Sequence, residues 1–193
     1  MGKTSQEAVP SQNSASNVRI GDVIGNKTDT TAGNSLVALV KVIDGLVDTI
    51  ISSTPVIVEK SAANLPQGAQ TPYFTVTGKV LITQLVGTVT TEIEAQETVA
   101  KWIANPTVGA DVDLCASADL TGDAVGTMLS ITGTLADALV ETTSGAVIAQ
   151  ASAIVVDAGT IDLDTDNDSS TGATSIILHY IPLSSDGAVV VYS

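Results

Sequence analysis

From Tyr73 to Ser193 the chain is written in short runs of Val, Ile, Leu and Thr, each closed by Gly, Asn, Asp or Pro, and this punctuation constrains the fold most. Branching at Cβ stiffens Val, Ile and Thr and suits them to a pleated, half-buried surface. Short runs of this kind between turn formers read as strands, and many of them in series predict a mainly β chain built as a jelly-roll-like β-sandwich. The candidate strands are 74–89 (one or two strands, with Gly78 and Gly87 as bend or bulge), 99–103, 111–116, 128–132, 146–148, 154–156, 160–163, 175–181 and 188–192. Their core has to be aliphatic, because apolar residues make up 44% of the chain and aromatic residues 3%. Residues 109–114, Thr121-Gly122 and 128–132 are echoed by 159–163, Thr171-Gly172 and 175–181, which suggests two similar hairpin units.

The first third reads differently. Residues 1–34 are rich in Ser, Asn, Gln, Thr and Gly and hold no sustained periodicity. Such a segment cannot build its own core, and it is expected to be an extended arm held by a neighbouring subunit, the alternative being an arm folded back on its own domain. Asn34 and Ser35 can each cap a helix, and Leu36, Leu39, Ile43, Leu46 and Ile50 follow at the alternating 3-4 spacing of one helical seam. This helix, 35–54, should stop before Pro55, since the residue preceding a proline is pushed out of the α region. About two heptads are too few to be stable alone in water, so the helix needs a partner, either copies of itself or its own β-domain. Ile43 and Ile50 at a with Leu39 and Leu46 at d favour a dimer, but Val40 and Val47 broaden the seam, and a homotrimer is expected. Residues 55–72, with Leu65-Pro66-Gln67-Gly68 and Thr71-Pro72, read as a linker, and 73–193 as the β-domain.

Charge narrows the choice of partners. All seven Lys and Arg lie in the first 101 positions, while twelve acids follow Lys101, within a net charge of −14. A surface of that sign repels phosphate, which argues against nucleic acid and against an anionic membrane. The most apolar window, 36–58, is broken by Lys41, Asp44 and Asp48 and does not read as a membrane span. No basic region followed by an apolar stretch opens the chain, so a cytoplasmic product is expected until it is assembled into something larger. Cys115 is the single cysteine, which rules out an intramolecular disulfide and argues against a cysteine-based zinc site.

The cluster Asp162, Asp164, Asp166 and Asp168 is the one metal candidate. Alternate acids on a strand share a face, and an oxygen-rich loop of this kind can hold calcium. The pattern is not an EF-hand, whose sixth and twelfth positions would fall on Asn167 and Ala173 here. The competing reading is a solvated strand edge whose acids discourage edge-to-edge pairing. No other cofactor is indicated. His179 stands inside an apolar strand-like run with no nucleophile motif beside it, Cys115 reads as a small core residue, and Trp102 as a core or interface anchor. With no Gly-x-Ser-x-Gly elbow, phosphate loop or dinucleotide fingerprint, the chain reads as non-enzymatic.

Residues 19–30, from Arg19-Ile20-Gly21-Asp22 to Lys27-Thr28-Asp29-Thr30, running into Ala32-Gly33-Asn34-Ser35-Leu36, resemble a segment of virion-associated proteins of tailed bacteriophages. The stretches 104–114 and 158–163 look like the β-domain of the same group, so the resemblance spans about 19–183. It implies a structural protein of the virion, a capsid decoration or head fibre whose partners are its own copies and other virion proteins such as the major capsid protein. A tail or baseplate fibre, or a calcium-dependent carbohydrate-binding module facing the host, is the alternative. No catalytic residues come with the resemblance.

Overall fold

The computed structural model describes Ile43, Leu46 and residues 54–143, 145–166 and 171–193. The chain divides into two units, Met1–Ile51 and Ser52–Ser193. In the first unit Ile43 and Leu46 are in helical backbone, whereas the arm 1–34 and the seam residues Leu36, Leu39 and Ile50 lie outside the described residues.

The described residues of the second unit form strands joined by turns and loops, with no helix among them. In chain order the strands are β1 (Val56–Asn64), β2 (Gln70–Thr77), β3 (Val80–Thr91), β4 (Val99–Pro106), β5 (Val112–Asp113) and β6 (Ala118–Asp119). They continue with β7 (Met128–Ser130), β8 (Val140–Thr142), β9 (Ile154–Val156), β10 (Gly159–Thr165), β11 (Ala173–Pro182) and β12 (Ala188–Val191). Two six-stranded antiparallel sheets pack as a β-sandwich. The first runs β1-β11-β3-β7-β8, with β9 on the same side of β3 as β7, and the second runs β12-β2-β10-β4-β5, with β6 also on β4. The pairs are nested: β1 meets β11, β2 meets β10, β3 meets β7 and β4 meets β5, with successive pairs falling in alternate sheets.

Alternation along each strand supplies the core. Val80, Ile82, Leu85 and Val89 of β3 and Ile176, Leu178 and Tyr180 of β11 point inward from the first sheet. Phe74, Val76, Trp102, Ile161 and Leu163 answer them from the second. Fully burying a side chain of this size stabilises by about 1.5–3 kcal/mol, so these two rows carry the fold. Between Ile161 and Asp162 the pairing of β10 with β2 slips: Ile161 faces Phe74, but Asp162 faces Pro72. Tyr73 is therefore the extra residue of a β-bulge, and it is buried alongside Phe74 instead of pointing to the opposite face. Its ring meets Trp102 edge to face, with centroids 5.4 Å apart. At one lateral edge Lys60 of β1 lies 5.1 Å over the Tyr73 ring, and its ammonium donates to the Tyr192 carbonyl oxygen at 3.3 Å.

The β-domain therefore extends into 55–72, which the sequence suggested as a linker. β1 is an edge strand whose second half, Lys60-Ser61-Ala62-Ala63-Asn64, lacks apolar alternation and so conceals itself. The run 74–89 divides at Gly78, whose φ of 59° turns the chain out of one sheet and into the other. Residues 146–148 form no strand. The two echoed units are arches and not hairpins, since each leaves the second sheet (β5, β10) and arrives in the first (β7, β11).

Gly133 closes a tight approach at the end of β7. Its φ is +88°, and the amides of Ala151 and Ser152 both donate to the Thr132 carbonyl oxygen. A Cβ at Gly133 would stand 1.8 Å from the Ser152 carbonyl oxygen, so the backbone has to move to admit one. Gly133→Ala is expected to lose about 2–3 kcal/mol, combining left-handed strain with the displaced loop, as read by urea unfolding.

Candidate functional site

The acids that follow the last basic residue fall into three different settings. Asp162 sits mid-strand on β10, between β2 and β4, on the face turned away from the core. It is nevertheless only 2% exposed. Its Oδ2 accepts from Gln70 Nε2 at 2.8 Å and from Asn105 Nδ2 at 3.2 Å, while Oδ1 is buried without a hydrogen-bond partner. The strand-edge reading of this cluster is thus corrected: β10 is central, and Asp162 is held by amides from both neighbours. Asp164 shares its face, across from Gln70 and Lys101. Asp166 is past the strand end, where its amide donates to the Val99 carbonyl oxygen, and Asp168 lies outside the described residues. Among the described residues no group of three or more His, Cys, Asp or Glu side chains is arranged to hold a metal ion.

A second acidic group was not singled out by sequence, because Glu141 is distant in the chain from Asp119 and Asp123. Asp119 on β6, Asp123 in the following turn and Glu141 on β8 feel one another's charge. The Thr121 hydroxyl and amide both donate to Asp119 Oδ1 and hold that carboxyl below the usual range. Asp123 goes the other way. Burial, with added repulsion from Glu141 and Asp119, pushes it from 3.8 to about 6, and its Oδ2 is buried without a partner. Glu141 is raised by burial and by Asp119.

Two of the late acids do find bases. Lys79 reaches Asp157 at 3.2 Å, and Lys101 reaches Asp113 at 3.0 Å. The Ala158 amide, ahead of Lys79, holds the Asp157 carboxyl below the usual range. Asp157 also borders a cleft of about 270 Å³ whose walls are apolar, including Pro106, Val112, Leu135 and Val155. Cys115 is buried, accepts a hydrogen bond from the Trp102 amide at 3.4 Å, and has its thiol pushed up to about 11 by burial, so it is an inert core residue. Trp102 is 1% exposed and anchors the core. His179 lies half-buried on the outer face of β11, facing Ile57 and Gln84. The one cysteine and the one histidine thus stand on different layers and form no catalytic pair. No family model, curated protein or solved structure matches the chain.

Two outcomes follow from this geometry. Asp162→Ala strands the Gln70 and Asn105 amides and should lose about 1–3 kcal/mol, whereas Asp162→Asn keeps an oxygen for both and should lose less than about 1 kcal/mol in the same urea titration. For Asp123 the folded state holds a proton that the unfolded chain releases between about pH 4 and pH 6. Stability should therefore fall as pH rises through 6. The shift would correspond to about 3 kcal/mol unscreened, and half-exposure to water reduces this to about 1 kcal/mol. Asp123→Asn should gain that amount at pH 7.5 and nothing at pH 4, measured against wild type at each pH.

Proposed function

We propose that the chain is a non-enzymatic structural protein of a tailed-phage virion, a homotrimeric capsid decoration or head-fibre protein. In this reading the arm 1–34 docks on other virion proteins such as the major capsid protein, the helix 35–54 bundles with its copies, and a jelly-roll-like sandwich is displayed. The observation that carries it is the nested pairing order, β1-β11-β3-β7 facing β2-β10-β4-β5. Eight strands in two sheets paired first with last are the plan of a jelly roll, an architecture common to viral capsid and lectin domains. A fold of this kind hosts many functions, so the virion assignment leans also on the resemblance of 19–36, 104–114 and 158–163 to phage structural proteins. Ile43 and Leu46, the seam residues that are described, are 48% and 56% exposed, apolar surface of the kind a bundle of helices covers.

Light scattering of the full chain at the concentration at which it coats particles is expected to give three copies. Ile43→Asp, which puts a charge into the seam, should give one copy with the melting temperature of the sandwich unchanged. Deleting 1–34 should leave trimers that no longer co-purify with particles. Normal incorporation of the truncated chain would end the docking role of the arm.

A further inference from the structure

The outer face of the first sheet breaks the rule that a sandwich turns its polar residues to water. Register puts Ile57 of β1, Ile177 and Ile181 of β11, Leu81 and Val86 of β3 and Val155 of β9 on that face. Three of these are substantially exposed: Ile57 at 62%, Val155 at 56% and Ile177 at 39%. The polar residues among them are almost all neutral, namely Thr83, Gln84, Thr88, Ser175 and the lone His179. β3, β7, β9 and β11 contain no Asp, Glu, Lys or Arg at all. Within the strands of this sheet Glu59 is the only acid on the outer register, because Glu141 of β8 pairs with the inward-facing Leu129, and Asp157, just past the end of β9, is paired with Lys79. The outer face of the second sheet, by contrast, carries Lys101, Asp113, Asp162 and Asp164.

We infer that this face of the first sheet is where the sandwich of one copy meets the sandwich of another. An apolar patch on a soluble domain marks a contact surface, and here the charge pattern selects the occupant. A cationic partner would be met by carboxylates, of which the rest of the domain has many. The surface kept almost free of them suits a partner that is itself strongly acidic, and a second copy of a chain of net charge −14 is that partner. Elsewhere, like charge opposes the approach of two copies. At β7 the outward Ser130 is 1% exposed and donates to the Ile148 carbonyl oxygen, so the open face runs over β1, β11, β3 and β9, about 19 Å across at 4.8 Å per strand and about 20 Å along them, on the order of 400 Å². A stable interface takes about 800 Å² per partner, so this contact is a weak one that adds to another tie between copies. It takes from the proposed function only that copies associate.

Cys115 is the sole cysteine and is buried, so one introduced thiol at a time can be addressed in the full chain. Ser175→Cys reports on this face, and Thr160→Cys on the outer face of the second sheet, both half-buried positions near the start of strands that are paired on both sides. With a short bis-maleimide at micromolar protein, Ser175→Cys is expected to give covalent dimers at least tenfold above Thr160→Cys. Adding Ile177→Asp should remove that excess while circular dichroism and melting temperature stay those of the parent, since Ile177 is already part-exposed. Equal yields at the two positions, or an excess that survives Ile177→Asp, would overturn the inference. Light scattering separates the two readings: an oligomer that persists without Ser175 cross-links removes this face and leaves self-association standing, whereas a monomeric wild type removes both.

Discussion

One extra residue in β2 governs both faces of the second sheet. The bulge at Tyr73 lets Tyr73 and Phe74 enter the core together, where the Tyr73 ring meets Trp102. In a chain with 3% aromatic residues these rings fill volume that Val and Leu cannot, and the phenol, pushed up to about 12 by burial, still reaches the Asn64 carbonyl oxygen at 3.2 Å. On the opposite face the same slip sets Pro72 against Asp162 and leaves Gln70 two residues further along, opposite Asp164 and within reach of the Asp162 carboxylate. Without the bulge, alternation would send one of the two rings to the surface and move Gln70 off its partner. Core packing and the only deeply buried acid among the described residues thus share a single backbone irregularity.

The charge asymmetry has a similar unity. Acids collect on the second sheet, in the loops and around Asp123, where each is hydrogen-bonded, paired with Lys79 or Lys101, or left in contact with water. The first sheet is nearly free of them. A domain whose two outer faces differ this much in charge is directional: the acidic one stays hydrated, and the other is free to be covered.

Much of this was legible as text. Strands at 99–103, 154–156, 160–163, 175–181 and 188–192 were signalled by β-branched runs, and β4, β9, β10, β11 and β12 lie there. What escaped notice did so for physical reasons. β1 hides because the second half of an edge strand need not alternate, and β6 and β8 are too short to leave a pattern. Asp162 was legible as an acid on a strand but not as a buried one, since its burial depends on Gln70 and Asn105, which are 92 and 57 residues away in the chain. The approach of Glu141 to Asp119 and Asp123 was equally invisible, because proximity across a sandwich leaves no spacing to read. The helical seam at Leu36, Leu39, Ile43, Leu46 and Ile50 rests on periodicity, with Ile43 and Leu46 alone described.

Nested pairing also sets an order in time. β1 is the first strand of the sandwich to leave the ribosome, and its partner β11 is nearly the last, so Val56-Ile57-Val58 waits unpaired while more than a hundred further residues are made. At the usual rates of synthesis that interval is on the order of ten seconds, far longer than a loop needs to close or a hairpin needs to form. On a polysome, where several chains of this kind grow side by side, the β11 that arrives first can belong to a neighbour. The topology that makes the finished sandwich compact therefore makes its birth a competition between folding alone and exchanging strands with a sibling.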